Sequence, residues 1–295
     1  MLINTLKKNN IIIYSSILFF FSISFNQYYG YIGIFPEDSF LIFNSGYDTM
    51  NGYFPFKDYW TTTGPLLDLI QAFFFRIFDI NWFSYVLHAS FFNFIITITT
   101  FFVLLKFNLK ANYCFFYSLL VAVLSYPNAG TPFMDHHSNI LSTVSLLIFI
   151  LAIKNKSNYY WFFLPILLGL SFLSKQVPAA YVGLIIGFLS FFYFILNFDI
   201  KKIFLGILGS LFFLITFIIV MKSADISLKS FYEQYILFPQ SMGKDRLNLL
   251  FPLEFNRIIL KFKLIHLSLL CILIIIVKNI ISNYNYLKTN EFFIL

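Results

Sequence analysis

Residues 203–221 read IFLGILGSLFFLITFIIVM, a run without one charged side chain. Its length matches the roughly 20 apolar residues that an α-helix needs to cross the hydrocarbon core of a bilayer. Seven further apolar runs recur along the chain, at residues 11–34, 82–105, 111–126, 139–153, 159–173, 177–198 and 258–277. Several are short, but backbone polar groups in lipid must be paired internally, and no stretch alternates like a barrel strand. The sequence therefore predicts an all-α, polytopic transmembrane helical bundle of about eight spans.

The composition excludes two broad classes of protein. The chain has 295 residues, of which 59% are hydrophobic and 11% are charged, too few polar groups to cover a water-soluble core. The net charge of +7 comes from lysines that flank apolar runs, not from a basic stripe with interleaved aromatic residues, so nucleic-acid binding is not expected. Cys114 and Cys271 lie inside separate apolar runs, which indicates neither a disulfide framework nor a metal motif.

Lysine placement sets the expected orientation. Lys7 and Lys8 precede the first run, which lacks a small-x-small cleavage site and is interpreted as a retained span. With the N-terminus in the cytoplasm, ten basic and two acidic residues fall inside, against ten basic and eleven acidic residues outside. Short inner turns rich in lysine follow the positive-inside rule. We expect a multi-pass protein with a cytoplasmic N-terminus, located in a bacterial inner membrane.

Two outer loops are long, at about 35–81 and about 222–257, whereas the inner turns are short. Long loops are where function is expected. Residues 1–295 are interpreted as one transmembrane domain, and the final run from Glu291 to Leu295 indicates a truncated sequence in which another span begins. In the first loop a polar stripe predicts an interfacial helix, with a ninth, tilted span as the alternative; the stripe comprises Asp68, Gln71, Arg76 and Asp79.

Acidic residues directly after the first span form the first candidate site. Glu37 and Asp38 would lie at the depth of the lipid headgroups. A carboxylate there can act as general base on an acceptor hydroxyl while the donor's lipid tail stays in the bilayer. The alternative is a structural role, in which Asp38 or Ser39 caps the helix that follows.

The second candidate site is Asp135-His136-His137, at the outer start of the fourth span. Carboxylate and imidazole groups are ligands for divalent cations, but adjacent residues on a helix cannot all face one ion. At most two of the three are expected to converge, and a capped helix start with solvated histidines is the alternative. His88 and His266 lie inside spans and are interpreted as interhelical hydrogen-bonding residues.

Lys175 lies in a short outer turn and runs against the positive-inside trend. A cation at headgroup depth can pair with the phosphate of a lipid-linked donor. Ordinary snorkelling of the side chain to the interface accounts for it equally well.

Read in order, these clusters resemble the membrane glycosyltransferases of the C-fold superfamily (GT-C), especially the protein-O-mannosyltransferase and aminoarabinose-transferase-like group. The resembling stretch runs from Asp38 through NGYFPFKDYW, residues 51–60, to the Thr63-Gly64-Pro65 turn. In that group an acidic residue opens the first outer loop, and a Gly-x-x-Pro-Tyr-x-Asp-like run precedes a Gly-Pro or Pro-Pro turn. Here Phe56 replaces the usual Tyr, and Glu37-Asp38 stands where Asp-Glu is common.

The resemblance implies an enzyme that transfers a hexosyl or pentosyl group from a polyprenyl-phosphate donor, usually with inversion. The acceptor would be a glycan, lipid or protein at the outer face, as in the synthesis of cell envelope glycans. Asp38 or Glu37 would be the base, and some members use a divalent metal cation. The remaining implied contacts are Lys57, Asp58, Tyr59 and Lys175 for the substrate, and Asp135, His136 and His137 for a metal or second site.

Two alternatives stay open. A polytopic transporter or flippase for a lipid-linked or small-molecule substrate would fit the same composition, although transporters tend to show broken helices and polar groups at mid-membrane. An inactive or truncated relative that serves as an assembly partner is the other.

Overall fold

A computed structural model describes residues 2–33, 36–154, 157–247 and 255–294. Within these ranges, side chains are described outside residues 2–9, 36–39, 244–247, 257–258, 284 and 288. The described chain is all-helical, with 82% of residues in helices and no β-strand. The predicted all-α class is therefore confirmed.

Nine helices form the body of the fold, and shorter elements follow. The first nine are α1 (Leu2–Gly30), α2 (Pro36–Met50), α3 (Pro65–Phe78), α4 (Trp82–Lys106), α5 (Ala111–Leu124), α6 (Met134–Lys154), α7 (Tyr159–Ser174), α8 (Gln176–Leu196) and α9 (Ile200–Ser223). After them come α10 (Leu228–Phe231), a π-helical turn (Tyr232–Leu237), α11 (Phe238–Leu247), a second π-helical turn (Asn256–Leu260), α12 (Lys263–Ser282), a 3-10 turn (Tyr284–Lys288) and α13 (Asn290–Ile294).

Six of the described helices are long and apolar enough to cross a membrane. They are residues Asn10–Gly30 of α1, together with α4, α6, α8, α9 and α12. Helices α5 and α7 are apolar but have only 14 and 16 residues. The length and composition of these helices mark the chain as a membrane protein.

Two groups of helices share α6 as their common element. On one side α4 packs against α1, α5 and α6, and on the other α6 packs against α7 and α8, with α9 against α7. Trp161 and Tyr193 stack in the second group at a ring-centroid distance of 5.7 Å. Short turns join α4 to α5, α6 to α7 and α8 to α9, so these turns share one end of the bundle. The opposite end, at which α4, α6 and α8 begin, is named the loop end.

Helices α2 and α3 form a hairpin that packs on the start of α4. Ile42, Leu67, Phe75 and Tyr85 form its buried contact, and Met134 at the start of α6 packs against it. The indole nitrogen of Trp82 donates to the carbonyl of Gly30 at 2.9 Å, which fastens the first turn of α4 to the end of α1. The hairpin is thereby held at the loop end.

Helix α3 turns part of its polar stripe toward the protein. Asp68 and Gln71 have no exposed surface, whereas Phe73 and Ile77 are 58% and 54% exposed. Arg76 and Asp79, at the end of the helix, are exposed. An interfacial helix lying in the headgroup region would present its polar side to water. Asp68 and Gln71 face inward, where other side chains of the bundle hydrogen-bond to the Asp68 carboxylate and to the side-chain oxygen of Gln71.

Candidate functional site

Three segments converge at the loop end: residues 51–64, the junction of α7 with α8, and residues 224–235. The side-chain amide of Gln176 donates to the carbonyls of Thr62 and Tyr235, at 3.2 and 2.6 Å. The amide nitrogen of Gly64 donates to the carbonyl of Ser174 at 3.3 Å. A Cβ at Gly64 would lie 1.8 Å from the carbonyl oxygen of Leu173, so this close approach requires glycine.

Gln234 fastens residues 51–64 to the segment after α9. Its side-chain oxygen accepts from the amide of Thr61 at 3.1 Å, and its nitrogen donates to the carbonyl of Phe56 at 3.3 Å. Phe56 has a φ of 66°, in the left-handed region that a bulky residue rarely adopts. Its buried ring packs against Phe231 and Tyr235. Backbone strain of this kind persists where surrounding contacts hold it in place.

Lys175 and Asp135 form the central ion pair of the loop end. The Lys175 ammonium donates to both carboxylate oxygens of Asp135, at 2.6 and 2.7 Å. The two side chains are 33% and 37% exposed, so the pair is open to a ligand from the surface. An ammonium group has three donors, and the carboxylate uses two of them. The structure thus joins two residues that the sequence suggested separately.

A seam of serines between α6 and α7 fixes the position of Lys175. Ser138, three residues after Asp135 on α6, donates to the backbone carbonyl of Lys175 at 3.1 Å. Ser171 on α7 donates to the carbonyl of Ser138 at 2.8 Å, and its hydroxyl lies 2.8 Å from that of Ser142. Residues three and four apart share one face of a helix, so this face of α6 grips the junction.

The three predicted substrate residues of the first loop point in different directions. The Lys57 ammonium lies 3.4 Å from the Asp225 carboxylate and donates to the carbonyl of Ala224. Asp58 accepts from the amide of Phe54 at 2.7 Å, which stabilises the turn. Tyr59 points to the α2–α3 hairpin. Lys57 and Asp58 both remain exposed, whereas Tyr59 is half-buried.

Asp68 ties the hairpin together and was not among the predicted site residues. Its carboxylate accepts from Ser45 at 2.6 Å and from the Tyr59 hydroxyl at 3.0 Å. Burial raises the pKa of Asp68 to about 6, opposed by the two hydrogen bonds. Burial, with the nearby carboxylate of Asp68, raises the pKa of Tyr59. Both oxygens of this buried carboxyl group accept a hydrogen bond. Asp68 therefore links α3 to α2 and to residues 51–64.

A second buried chain of hydrogen bonds crosses from α3 through α4 to α6. His88 Nδ1 lies 2.9 Å from the side-chain oxygen of Gln71, and His88 Nε2 lies 2.9 Å from His137 Nε2. His137 Nδ1 lies 2.6 Å from the Tyr126 hydroxyl. An amide oxygen can only accept, so His88 carries its proton on Nδ1 and accepts from His137 at Nε2. The interpretation of His88 as an interhelical hydrogen-bonding residue is confirmed.

The predicted metal ligands of α6 do not face a common point. Asp135 is directed at Lys175, and both ring nitrogens of His137 are hydrogen-bonded. His136 Nδ1 is buried with no hydrogen-bond partner among the described residues. The described residues contain no group of three His, Cys, Asp or Glu that could hold a metal ion. Consecutive helical residues project 100° apart, and these three side chains are directed at different surroundings, so a metal-binding role for any two of them stays a prediction.

Glu37 and Asp38 lie in the first turn of α2, which begins at Pro36. Their side chains, and that of Ser39, fall outside the described part of the structure. The role of either acid as a base stays a prediction. The start of the helix two residues before Asp38 places it inside α2, past the N-cap position that the structural alternative assigned to it.

An apolar cavity of about 160 Å³ lies at the loop end, with Pro65 and Leu173 in its lining. Helices α3, α7 and α9 enclose it, with Leu66, Leu173 and Val220 among its lining residues. Ala224, which accepts the hydrogen bond from Lys57, also lines it. The interior of the cavity is lined by aliphatic and aromatic side chains, among them Phe213 and Phe217.

The fold and the site together define a helical membrane protein with a polar cluster over an apolar cavity at one end of its bundle. No family model, curated protein or solved structure matches the chain. Its function is therefore argued from the site.

Proposed function

We propose that this chain is an integral membrane glycosyltransferase of the GT-C type, which moves a sugar from a polyprenyl-phosphate donor to an acceptor at the outer face. The observation that carries the proposal is a pair of loop-end lysines, each close in the chain or by a hydrogen bond to a residue that lines the apolar cavity. Lys175 follows the lining residue Leu173 by two positions, and Lys57 donates to the carbonyl of the lining residue Ala224. A lipid-linked phosphate needs a cation for its head and an apolar slot for its chain.

The proposed topology makes the loop end the outer face. In it α5 and α7 cross the membrane together with the six longer helices, and the N-terminus lies in the cytoplasm of a bacterial inner membrane. Support comes from Lys106, Lys110, Lys154, Lys201 and Lys202, which all lie at the short-turn end. Lysines gathered on one side of a bundle indicate its cytoplasmic side.

In the proposed reaction, Asp38 or Glu37 takes the proton of the acceptor hydroxyl. The acceptor oxygen attacks the anomeric carbon while the bond from that carbon to the phosphate oxygen breaks, and polyprenyl phosphate leaves with the electron pair. The third donor of the Lys175 ammonium, and the ammonium of Lys57, stabilise the charge that develops on the phosphate. Asp135 holds Lys175 in position.

The whole proposal is tested by complementation: variants of this chain are expressed in a strain that lacks it, and the surface glycan is measured. Parent and Asp79→Asn, an exposed acid in the same loop, should restore the surface glycan. Asp38→Asn should reach normal abundance but lower transfer at least about a hundredfold, the usual contribution of a general base. Mass spectrometry would then find accumulated lipid-linked sugar. Full complementation by Asp38→Asn, with the sugar trapped on the inner leaflet in the deletion strain, would support a flippase instead.

Phosphate recognition is tested separately with purified, reconstituted protein and polyprenyl phosphate as the ligand. Lys175→Gln should weaken binding about tenfold, equal to about 1.4 kcal/mol. The matched control is Lys229→Gln, because Lys229 is exposed and pairs only loosely with Glu233, at 3.8 Å. Equal binding by Lys175→Gln and the parent would remove Lys175 from the proposed donor site and leave it as an anchor.

A further inference from the structure

Helix α6 carries a third polar face that the site at the loop end does not use. One face, with Asp135 and Ser138, grips the α7–α8 junction, and His137 faces α4. His136, Asn139 and Thr143 are spaced three and four residues apart, so they form a separate stripe. This stripe faces a groove of about 780 Å³ between α4, α5 and α6.

The groove runs lengthwise through the bundle and changes polarity along its length. Its floor on α4 includes Ile96 and Leu104, and its wall on α5 includes Leu120 and Leu124. Toward the short-turn end the lining is mainly apolar, with Leu104, Leu109 and Tyr117, and the Thr100 hydroxyl there is already bonded to the carbonyl of Ile96 at 2.8 Å. Toward the loop end it is polar, because the stripe of α6 and Ser125 lie there. A groove with one apolar end and one polar end is suited to bind an amphiphilic molecule.

Three polar groups at the loop end of the groove lack partners within the described chain. They are the buried Nδ1 of His136, the hydroxyl of the half-buried Ser125 and the amide of the exposed Asn139. By contrast, the Thr143 hydroxyl already donates to the carbonyl of Asn139 at 2.8 Å. Asn139 lies about 7 Å along α6 from the start of the helix, at 1.5 Å per residue. Its side chain is exposed, so an occupant of the groove can reach the amide and, where lipid replaces water, complete its hydrogen bonds.

The lining also indicates what kind of occupant fits. None of the described lining residues is an acid, a lysine or an arginine, so an ionic headgroup would find no partner there. A flexible acyl chain can follow a surface of leucine and tyrosine side chains. An uncharged lipid therefore matches the groove better than an anionic lipid.

We propose that this groove binds a membrane lipid with an uncharged, hydroxyl-bearing head, such as a diacylglycerol. The head would hydrogen-bond to Ser125, His136 and Asn139, and one acyl chain would lie along α4 and α5. The groove lies on a different face of α6 from the face that contacts Lys175. The lipid-binding proposal does not depend on the proposed sugar transfer.

The experiment uses the full chain reconstituted in phosphatidylcholine vesicles that contain a photoactivatable diacylglycerol. Peptide mass spectrometry should place its adducts on residues 117–124 and 136–143. Leu120→Trp fills the groove and should lower these adducts about tenfold. Phe116→Trp is the matched control on the same helix, because Phe116 is exposed and lies outside the groove. It should leave the adducts unchanged.

Recognition of the head is tested with Asn139→Leu, which replaces the polar group by an apolar one of similar size and should not disturb a helix in lipid. Loss of its hydrogen bonds should lower the diacylglycerol adducts about fivefold, as expected for about 1 kcal/mol. It should also abolish the preference over a photoactivatable phosphatidylglycerol. Equal adducts on the exposed faces of α9 and α12, equal labelling by both lipids in the parent, or crosslinks between copies in place of lipid adducts would overturn the proposal.

Discussion

Asparagine in place of Asp68 isolates the effect of one buried charge on stability. The parent carboxylate has no exposed surface and accepts from Ser45 and Tyr59. An asparagine side chain can keep both contacts, because its oxygen accepts from one hydroxyl and its nitrogen donates to the other. The Tyr59 hydroxyl can then redirect its hydrogen to Thr49, 3.3 Å away. The variant therefore removes the charge while it keeps the shape and the hydrogen-bond network.

The magnitude follows from the displaced titration of this group. Burial raises the pKa of Asp68 from 3.8 to about 6. A raised folded-state pKa means that the folded protein binds the proton more tightly than the unfolded chain. The resulting stability is fully present below pH 3.8, falls as the pH rises, and is lost above about pH 6. A shift of about two pKa units corresponds to about 3 kcal/mol.

The assay is thermal unfolding of the purified protein in detergent, followed by tryptophan fluorescence between pH 4 and 7.5. The stability of Asp68→Asn relative to the parent should increase by about 3 kcal/mol from the acid end to the neutral end. Asp79→Asn, at an exposed site of the same loop, is the control and should show no such trend. A constant difference between Asp68→Asn and the parent across this pH range would refute the reasoning.

Three further changes test the packing of the loop end and the bundle. Gly64→Ala forces the loop away from Leu173, so limited proteolysis of residues 51–64 should accelerate; an unchanged cleavage rate would count against it. His88→Leu leaves Gln71 and His137 without their partner and should lower the free energy of unfolding by about 2 kcal/mol. Gly209→Ala places a Cβ 2.0 Å from the carbonyl oxygen of Phe162, so the midpoint of thermal unfolding should fall by several degrees. An unchanged midpoint would mean that α7 and α9 can move apart at little cost.

The apolar runs identified the long helices well, because a continuous hydrophobic segment in lipid has few structures open to it other than a helix. The run at 203–221 lies within α9, and the run at 82–105 coincides with α4. The ends of the helices were predicted less accurately than their centres. Helix α6 begins at Met134, several residues before the predicted run at 139, because Asp135 and the histidines are helical as well. A scan for hydrophobicity omits such polar first turns.

The site was predicted only in part. Lys175 and Asp135 were both chosen from the sequence, but as a phosphate contact and a metal ligand, and nothing in their separation along the chain shows that they pair. Asp68 was seen only as part of an amphipathic stripe. In the sequence, the one sign of its role was an acid among the leucines and phenylalanines of α3. That Asp68 links two helices through hydrogen bonds became visible only with the positions of Ser45 and Tyr59.

Sequence alone determined that this chain forms apolar helices, where the charged turns fall, and which residues carry chemical groups. Those properties are local, since they depend on the length of a run and on neighbouring side chains. The tertiary structure decided the partners: the inward polar side of α3, the separation of Asp135 from the two histidines, and the pairing of Lys175 with Asp135. Partnership depends on which helix faces which, and that is set by packing between segments far apart in the chain.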